Sequence, residues 1–438
     1  LKTLTLRNDE LAKRTFATPL EGLAAPPNIV LFLASDLGYG DLACYGHARH
    51  KTPNLDRLAA GGVRFVDCHS NGCMCSPSRA ALLTGRYQQH CGIEFVLNHA
   101  KRDLPAMAPG SYTYGHALRA AGYATGFFGT YHTGYLPDNS PLDFGFDEFK
   151  GLCGGMDHHS HVTRWGTNNW WHGREPVNEP GYSTDLITNH ALHFLEQHRH
   201  HPFCLHIADF LVHFPWQGPH DGPDFQLGKT YDTPEAKYGS RPDRQAAYGE
   251  MVEAMDRSVG RVLERLDALG LTRNTFFFFG SDHGGHALVA DNGPLGGAKG
   301  SLHEGGHRIP AIASWPGRLA PGGVVAEPVM LMDLLPTFME LGGATLPAGV
   351  IVDGVSLCPL LQPGGHLPPR PLFWRHGSDK AIRKGPWKLL VEGGTVQLFN
   401  LDSDLAEKHD LASEQPGLRL ALERELNAWD AGLPALQR

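Results

Sequence analysis

Asn28-Ile-Val-Leu-Phe-Leu-Ala34, followed at once by Ser35-Asp36, decides the fold class. The run is apolar without alternation, so both faces of the strand must be covered, as in the centre of a parallel sheet. Runs of the same kind recur at Ala124 to Phe128, Phe203 to Ala208 and Thr275 to Phe279. Helical periodicities lie between them. Leu186, Ala191, Phe194 and Leu195 share one face of a helix predicted over Asp185 to His198. Met251, Met255, Val259, Val262, Leu263 and Leu266 do the same over Arg241 to Leu269. Strands alternating with helices predict an α/β fold, a large mixed sheet with helices on both faces.

Outward from this core the composition shifts twice. Residues 1–26 carry no period and read as an extended lead-in to a main domain over 27–350. After a Gly/Pro-rich passage and a helix near Met332 to Leu341, residues 351–438 read as a small α+β subdomain. Short strands are expected there at Leu372 to Trp374, Trp387 to Leu390 and Val396 to Phe399, with a terminal helix near Pro416 to Trp429. At 438 residues two domains are the natural expectation. A net charge of -8 with no clustered basic run argues against nucleic acid or an anionic membrane surface as partner. No apolar stretch approaches the ~20 residues of a membrane span. The eight cysteines are too sparse for a disulfide scaffold in a chain this long.

The segment Ser70-Asn-Gly-Cys-Met-Cys75-Ser-Pro-Ser-Arg79-Ala-Ala-Leu-Leu-Thr84-Gly85-Arg86 carries the chemistry. Pro77 suits the first turn of a helix, Ala80 to Leu83 propagate it and Gly85 suits its end. Cys75 then sits just before the helix N-terminus, where free backbone N–H groups and the helix dipole favour negative charge, and Arg79 adds a cation one turn along. Read this way, the segment is an anion site. Two other readings stand beside it: a structural buried cysteine, and a metal cluster of Cys68, Cys73 and Cys75, which lacks a second Cys or His pair at a usual zinc spacing.

Cys75-x-Pro77-Ser78-Arg79 followed by Leu83-Thr84-Gly85-Arg86 resembles the signature of the type I sulfatases, members of the alkaline-phosphatase-like superfamily. The match is similar in kind to bacterial sulfatases related to arylsulfatases and N-acetylgalactosamine-6-sulfatase. The resemblance implies that a formylglycine-generating enzyme or maturase oxidises Cys75 to formylglycine, whose hydrate is the nucleophile. A geminal diol can attack sulfur with one hydroxyl and expel sulfate through the other, a route closed to a serine or thiol ester.

The resemblance continues in order along the chain. Ser35-Asp36 and Asp282-His283, each after a strand, look like the two metal-ligand segments, so Asp36, Asp282, His283 and Ser35 are the implied ligands. Calcium is the implied ion, with another divalent metal as the alternative. Gly129-Thr130-Tyr131-His132-Thr133-Gly134 is similar to the family's Gly-Lys-Trp-His segment. It implies His132 as the base that drives sulfate elimination. Phe210 to Pro215 and Gly297 to Gly300 imply His213 and Lys299 at the sulfate and leaving-group oxygens. Two positions depart from the pattern: Ser35 stands where the family has a second acidic residue, and Thr130 where it has lysine. The two changes are opposite in charge. Asp157, His158, His159 and His161 fall where the family builds its substrate rim, and read either as sugar contacts or as an exposed loop.

These readings imply a sulfatase acting on a sulfate monoester of a carbohydrate, with a sulfated glycan or small molecule as partner. A periplasmic or secreted location is expected, the leader having been removed. Two alternatives remain: a phosphodiester or phosphonate ester hydrolase of the same superfamily, and a catalytically weakened sulfatase-like binding protein.

Overall fold

The computed structural model describes residues 26–99, 101–233, 235–362 and 364–435. Except for Pro26, the expected lead-in lies outside the described residues. One 11-stranded sheet organises the main body. From one edge it runs Gly323–Val325, Val63–His69, Arg308–Ser314, Thr275–Ser281, Asn28–Ala34, Phe203–Ala208, Ala124–Thr130, Glu148–Leu152, Trp171–His172, Glu175–Pro176, and Val329–Met330 pairs Val63–His69 separately. The strands from Thr275–Ser281 to Glu148–Leu152 are mutually parallel, whereas Arg308–Ser314 runs antiparallel to both its neighbours. The sheet is therefore mixed, as the sequence predicts.

The continuous apolar strand is explained by what covers it. Ile29, Leu31 and Leu33 enter one core with Leu83, Tyr114 and Phe338, while Val30, Phe32 and Ala34 enter a second with Phe194, Met251 and Met255. Alternate side chains point to opposite faces, so helices on both faces demand apolar residues at every position. The two predicted helices lie over one face as Ser183–His198 and Arg244–Ala268. The Asp243 side chain accepts from Ala246 N–H and caps the second, placing its start three residues later than the periodicity suggested.

A four-stranded antiparallel sheet, Leu372–His376, Asp379–Lys384, Trp387–Glu392 and Thr395–Asn400, carries the helix Pro416–Ala431 and forms the C-terminal subdomain. Buried charges join it to the main body. Arg383 binds Asp67 at 2.5 and 2.7 Å, and Lys388, fully buried, lies 3.0 Å from Glu304 and 2.8 Å from Glu407. Among the described residues no helix is long and apolar enough to cross a membrane.

Candidate active site

The parallel register delivers the site. Leu33 and Ala34 lie beside Gly280 and Ser281, so Ser35-Asp36 and Asp282-His283 leave the sheet side by side. Phe203–Ala208 and Ala124–Thr130 follow next in the sheet and lead into His213 and His132. All four segments emerge at the carboxyl ends of adjacent parallel strands, the place where open α/β sheets build ligand sites. Asp36 and His132 hold positive φ angles of 63° and 50°, uncommon for residues with a side chain. Gly284 is required for a different reason: a Cβ there would lie 1.8 Å from the Gly305 carbonyl oxygen, so only glycine lets the Asp282-His283 turn approach the short helix Glu304–His307.

Cys75 is the first residue of the helix Cys75–Thr84, with Met74 at the N-cap and Gly85 closing it in the left-handed conformation. The helix thus begins a residue or two earlier than Pro77 alone suggested. Cys75 Sγ lies 3.1 Å from His283 Nε2, 3.8 Å from Lys299 Nζ and 3.9 Å from Asp36 Oδ1. The Lys299 ammonium donates to both Asp36 oxygens, at 2.7 and 2.6 Å. Arg79 donates to Asp282 Oδ2 from Nε at 3.2 Å and from one terminal nitrogen at 2.8 Å, and to the Thr130 carbonyl at 2.8 Å. Cys75, Arg79, Asp36, Asp282, His283 and Lys299 therefore form one buried cluster. Cys68 and Cys73 lie outside it, and all eight cysteines are free.

Electrostatics follow from this packing. Burial alone would raise the Asp36 carboxyl, but Lys299, His213 and His283 outweigh it and hold the group well below the usual carboxylate range. Burial opposes charge on His283 as well, yet Asp282 and the Cys75 sulfur lift its imidazole to about 9. His132 and His213 move the other way. Burial pushes them down to about 4 and about 3, so both rings are neutral at pH 7. Their tautomers are set by backbone carbonyls: His132 Nε2 contacts Leu97 O at 3.1 Å and His213 Nδ1 contacts Phe214 O at 2.5 Å. The open nitrogens are Nδ1 of His132 and Nε2 of His213.

Ligand atoms of Asp36, Cys75, Asp282 and His283 all lie within 4.8 Å of one another. The donor set fits a divalent cation. Two carboxylates supply hard oxygen, and the Lys299 ammonium shows that Asp36 accepts a positive partner. His283 Nδ1 meets the Gly284 carbonyl at 2.9 Å, so Nε2 is its open position, from which an incoming cation displaces a proton. Ser35 has a different place. Its hydroxyl donates to the Asp209 carbonyl at 2.7 Å and accepts from Arg79 at 2.8 Å, which makes it a support for the guanidinium.

Beside the cluster, His132 and His213 line a cavity of about 290 Å3 together with Leu97, His99, Arg164, Trp165, Phe225 and Lys237 among others. Its wall comes from loops far apart in sequence, and no local motif marks those residues. Asp157, His158, His159 and His161 do not line this cavity. His158 is buried, meeting Ser183 Oγ at 2.9 Å and the His213 carbonyl at 2.9 Å, and Asp157 accepts from the backbones of His159, Ser160, Asp224 and Phe225. His158 braces the segment that carries His213, His161 stacks on Trp170, and His159, partly exposed, meets the Gly218 carbonyl at 3.1 Å.

The sequence model of the sulfatase family matches residues 27–344, which spans the whole constellation. The chain belongs to the sulfatase family. Sulfatases are sulfuric ester hydrolases, and the relatives of this one act accordingly by name. It is 36% identical to human N-acetylgalactosamine-6-sulfatase over 386 residues, covering 82% of this chain and 70% of that protein. It is 35% identical to human arylsulfatase A over 440 residues, covering 92% and 82%. Among solved structures, one described as Ps i-CgsB in complex with k-i-k-neocarrahexaose is 32% identical. It covers 92% of this chain and 93% of its own, with a TM-score of 0.82.

Proposed function

We propose that this sulfatase hydrolyses a sulfate monoester on a carbohydrate. Its nucleophile is formylglycine made from Cys75, and calcium is held by Asp36, Asp282, His283 and residue 75. One observation carries the reading: the side chain at position 75 meets Lys299, His283 and Asp36 within 3.9 Å at the mouth of a helix whose Arg79 is anchored on Asp282. The relative named N-acetylgalactosamine-6-sulfatase and the solved structure in complex with k-i-k-neocarrahexaose support a carbohydrate substrate. Cys75 is only 4% exposed, so the formylglycine-generating enzyme or maturase must act before the fold closes around it. A periplasmic or secreted location belongs to the same proposal, and fractionation of the native host checks it.

When bound, the cation draws charge from the sulfate oxygens and so lowers the barrier to attack on sulfur. The remaining work falls to side chains. One hydroxyl of hydrated residue 75 attacks sulfur while the bond from sulfur to the sugar oxygen breaks. Lys299 keeps its proton firmly, because Asp36 and its other anionic neighbours outweigh burial, so it offsets negative charge as a fixed cation. The open Nε2 of His213, neutral at pH 7, takes the proton released by the attacking hydroxyl and hands it to the departing sugar oxygen. The open Nδ1 of His132 then removes the proton from the second hydroxyl, the carbon–oxygen bond to sulfate breaks, and the aldehyde returns to be rehydrated by water.

Side-by-side kinetics on an aryl sulfate and an aryl phosphodiester test the assignment, using protein whose residue 75 has been verified as aldehyde. A preference of ~10²-fold or more in kcat/KM for the sulfate is expected. The opposite preference assigns a phosphodiester or phosphonate ester hydrolase, and no turnover of either assigns a binding protein.

A further inference from the structure

We infer that Arg164 and Lys237 form an anion subsite beside the sulfate-cleaving cluster. The substrate is then a saccharide carrying a second anionic group, a sulfate or a carboxylate, in addition to the scissile sulfate. The inference rests on the sulfatase reading above and adds the substrate's charge to it.

The cavity that contains His132 and His213 has no Asp or Glu in its wall, but it has these two full cations. Neither forms an ion pair or a side-chain hydrogen bond among the described residues; each lies instead against aromatic rings. The Arg164 guanidinium sits 4.8 Å from the Trp165 ring centroid, and Lys237 Nζ sits 4.8 Å from that of Tyr238 and 5.6 Å from that of Phe214. Some arginines outside the cavity are neutralised by carboxylates, Arg241 by Asp221 and Glu250 and Arg174 by Asp143, whereas Arg244 also lies over rings, those of Trp216 and Tyr238, without lining the cavity. A guanidinium lying on an indole keeps its forked N–H edge free, and that edge matches two oxygens of a sulfate or carboxylate.

The backbone beneath Arg164 is fixed, so the free cation is not a consequence of a loose loop. Thr163 N–H donates to Thr167 O at 2.8 Å and Gly166 N–H to Thr163 O at 2.9 Å, closing a turn. A second loop locks it, through Tyr231 N–H on Arg164 O at 2.8 Å and Gly228 N–H on Gly166 O at 2.9 Å. Gly166 permits that approach: its φ is 76°, and a Cβ would meet Lys229 N at 2.6 Å.

Position fixes the relation to the reacting group. The Phe214 ring centroid lies 5.4 Å from Lys299 Nζ and 5.6 Å from Lys237 Nζ. That bounds the separation of the ammonium groups at about 11 Å, close enough for both to hold one small ligand. Trp165, Met156 and Phe225 supply apolar wall for the C–H faces of a sugar ring between them.

Calorimetric binding to a Cys75→Ala protein tests this without turnover. The probes are N-acetylgalactosamine 6-sulfate, N-acetylgalactosamine 4,6-disulfate, and a disaccharide of glucuronate linked to N-acetylgalactosamine 6-sulfate. At least one dianionic probe should bind about tenfold tighter than the monosulfate, and which one does so separates sulfate from carboxylate as the second group. Adding Arg164→Gln and Lys237→Gln should erase that advantage, and added salt should shrink it in the parent. The salt series needs no substitution in the pocket, so it stands even if the double variant folds poorly. Equal binding by all three probes, including none at all, or an advantage that survives both substitutions, overturns the inference. Hydrolysis is not measured here, so the subsite can fail while the sulfatase assignment stands, and the reverse.

Discussion

Replacing Ser35 with aspartate and Thr130 with lysine should show strong coupling, because both positions touch the same guanidinium. Arg79 donates to Ser35 Oγ and to the Thr130 carbonyl, each at 2.8 Å, and all three residues are at most 3% exposed. Ser35→Asp alone removes the hydroxyl that donates to the Asp209 carbonyl, a loss of about 1–3 kcal/mol, and sets a third carboxylate beside Asp36 and Asp282. Thr130→Lys alone buries an ammonium next to Arg79, at an effective cost of several kcal/mol. Together the new charges neutralise one another. At a separation on the order of 7 Å and an effective dielectric of about 20 their attraction is about 2 kcal/mol, or roughly thirtyfold in a rate ratio. A double-mutant cycle on kcat/KM for an aryl sulfate measures it, with preparations matched for aldehyde content and saturated with calcium. Each single change should lower kcat/KM or leave it near the parent, and the double variant should exceed the product of the two by more than tenfold. Single effects that simply multiply, within about twofold, would refute the charge-balance reasoning.

Three further outcomes follow from the same geometry. Lys299→Met should lower kcat by ~10²–10³ with little change in KM, since it removes one fixed charge stabiliser; an unaltered kcat means the ammonium only neutralises Asp36. Burial lowers His132 to about 4, so the ring is neutral and able to accept a proton above that pH and loses the ability below it. The acid limb of the kcat profile should fall near pH 4, and a limb near the ordinary histidine value of about 6.5 would assign the step to another group. Lys388→Met strips the shared cation from Glu304 and Glu407, all fully buried side chains, and should cost about 3–5 kcal/mol in urea unfolding. A loss below about 1 kcal/mol would show that Arg308 and Arg383 carry the balance alone.

Features read from local pattern were legible in the sequence, and features made by distant residues were not. The apolar strand at Asn28–Ala34 announces a doubly covered sheet because its burial is written in every residue. Cys75 to Arg86 announces a helix mouth because proline and glycine mark its ends. The strand Asp379–Lys384 has no clear apolar pattern because one of its buried positions is Arg383, a charge held inside by Asp67, 316 residues away. The histidines at 158 and 161 misled for the converse reason: polar residues in a loop look exposed until packing against Ser183, Phe210 and Trp170 hides them. Ser35 reads in sequence as an implied metal ligand standing in for a carboxylate, whereas in space it is a bridge from Arg79 to Asp209. Arg164 and Lys237 belong to no motif, and only the fold brings them to one cavity.

The central claim is that the group at position 75 attacks sulfur as an aldehyde hydrate. Mass analysis of the peptide containing residue 75, made on the same preparations used for aryl sulfate kinetics, tests it most directly. The aldehyde form is lighter than the cysteine form, since sulfur and two hydrogens leave and one oxygen enters. Across preparations with different conversion, kcat should rise in proportion to the aldehyde fraction and extrapolate to zero without it. Full activity in protein whose Cys75 is still a thiol would contradict the account.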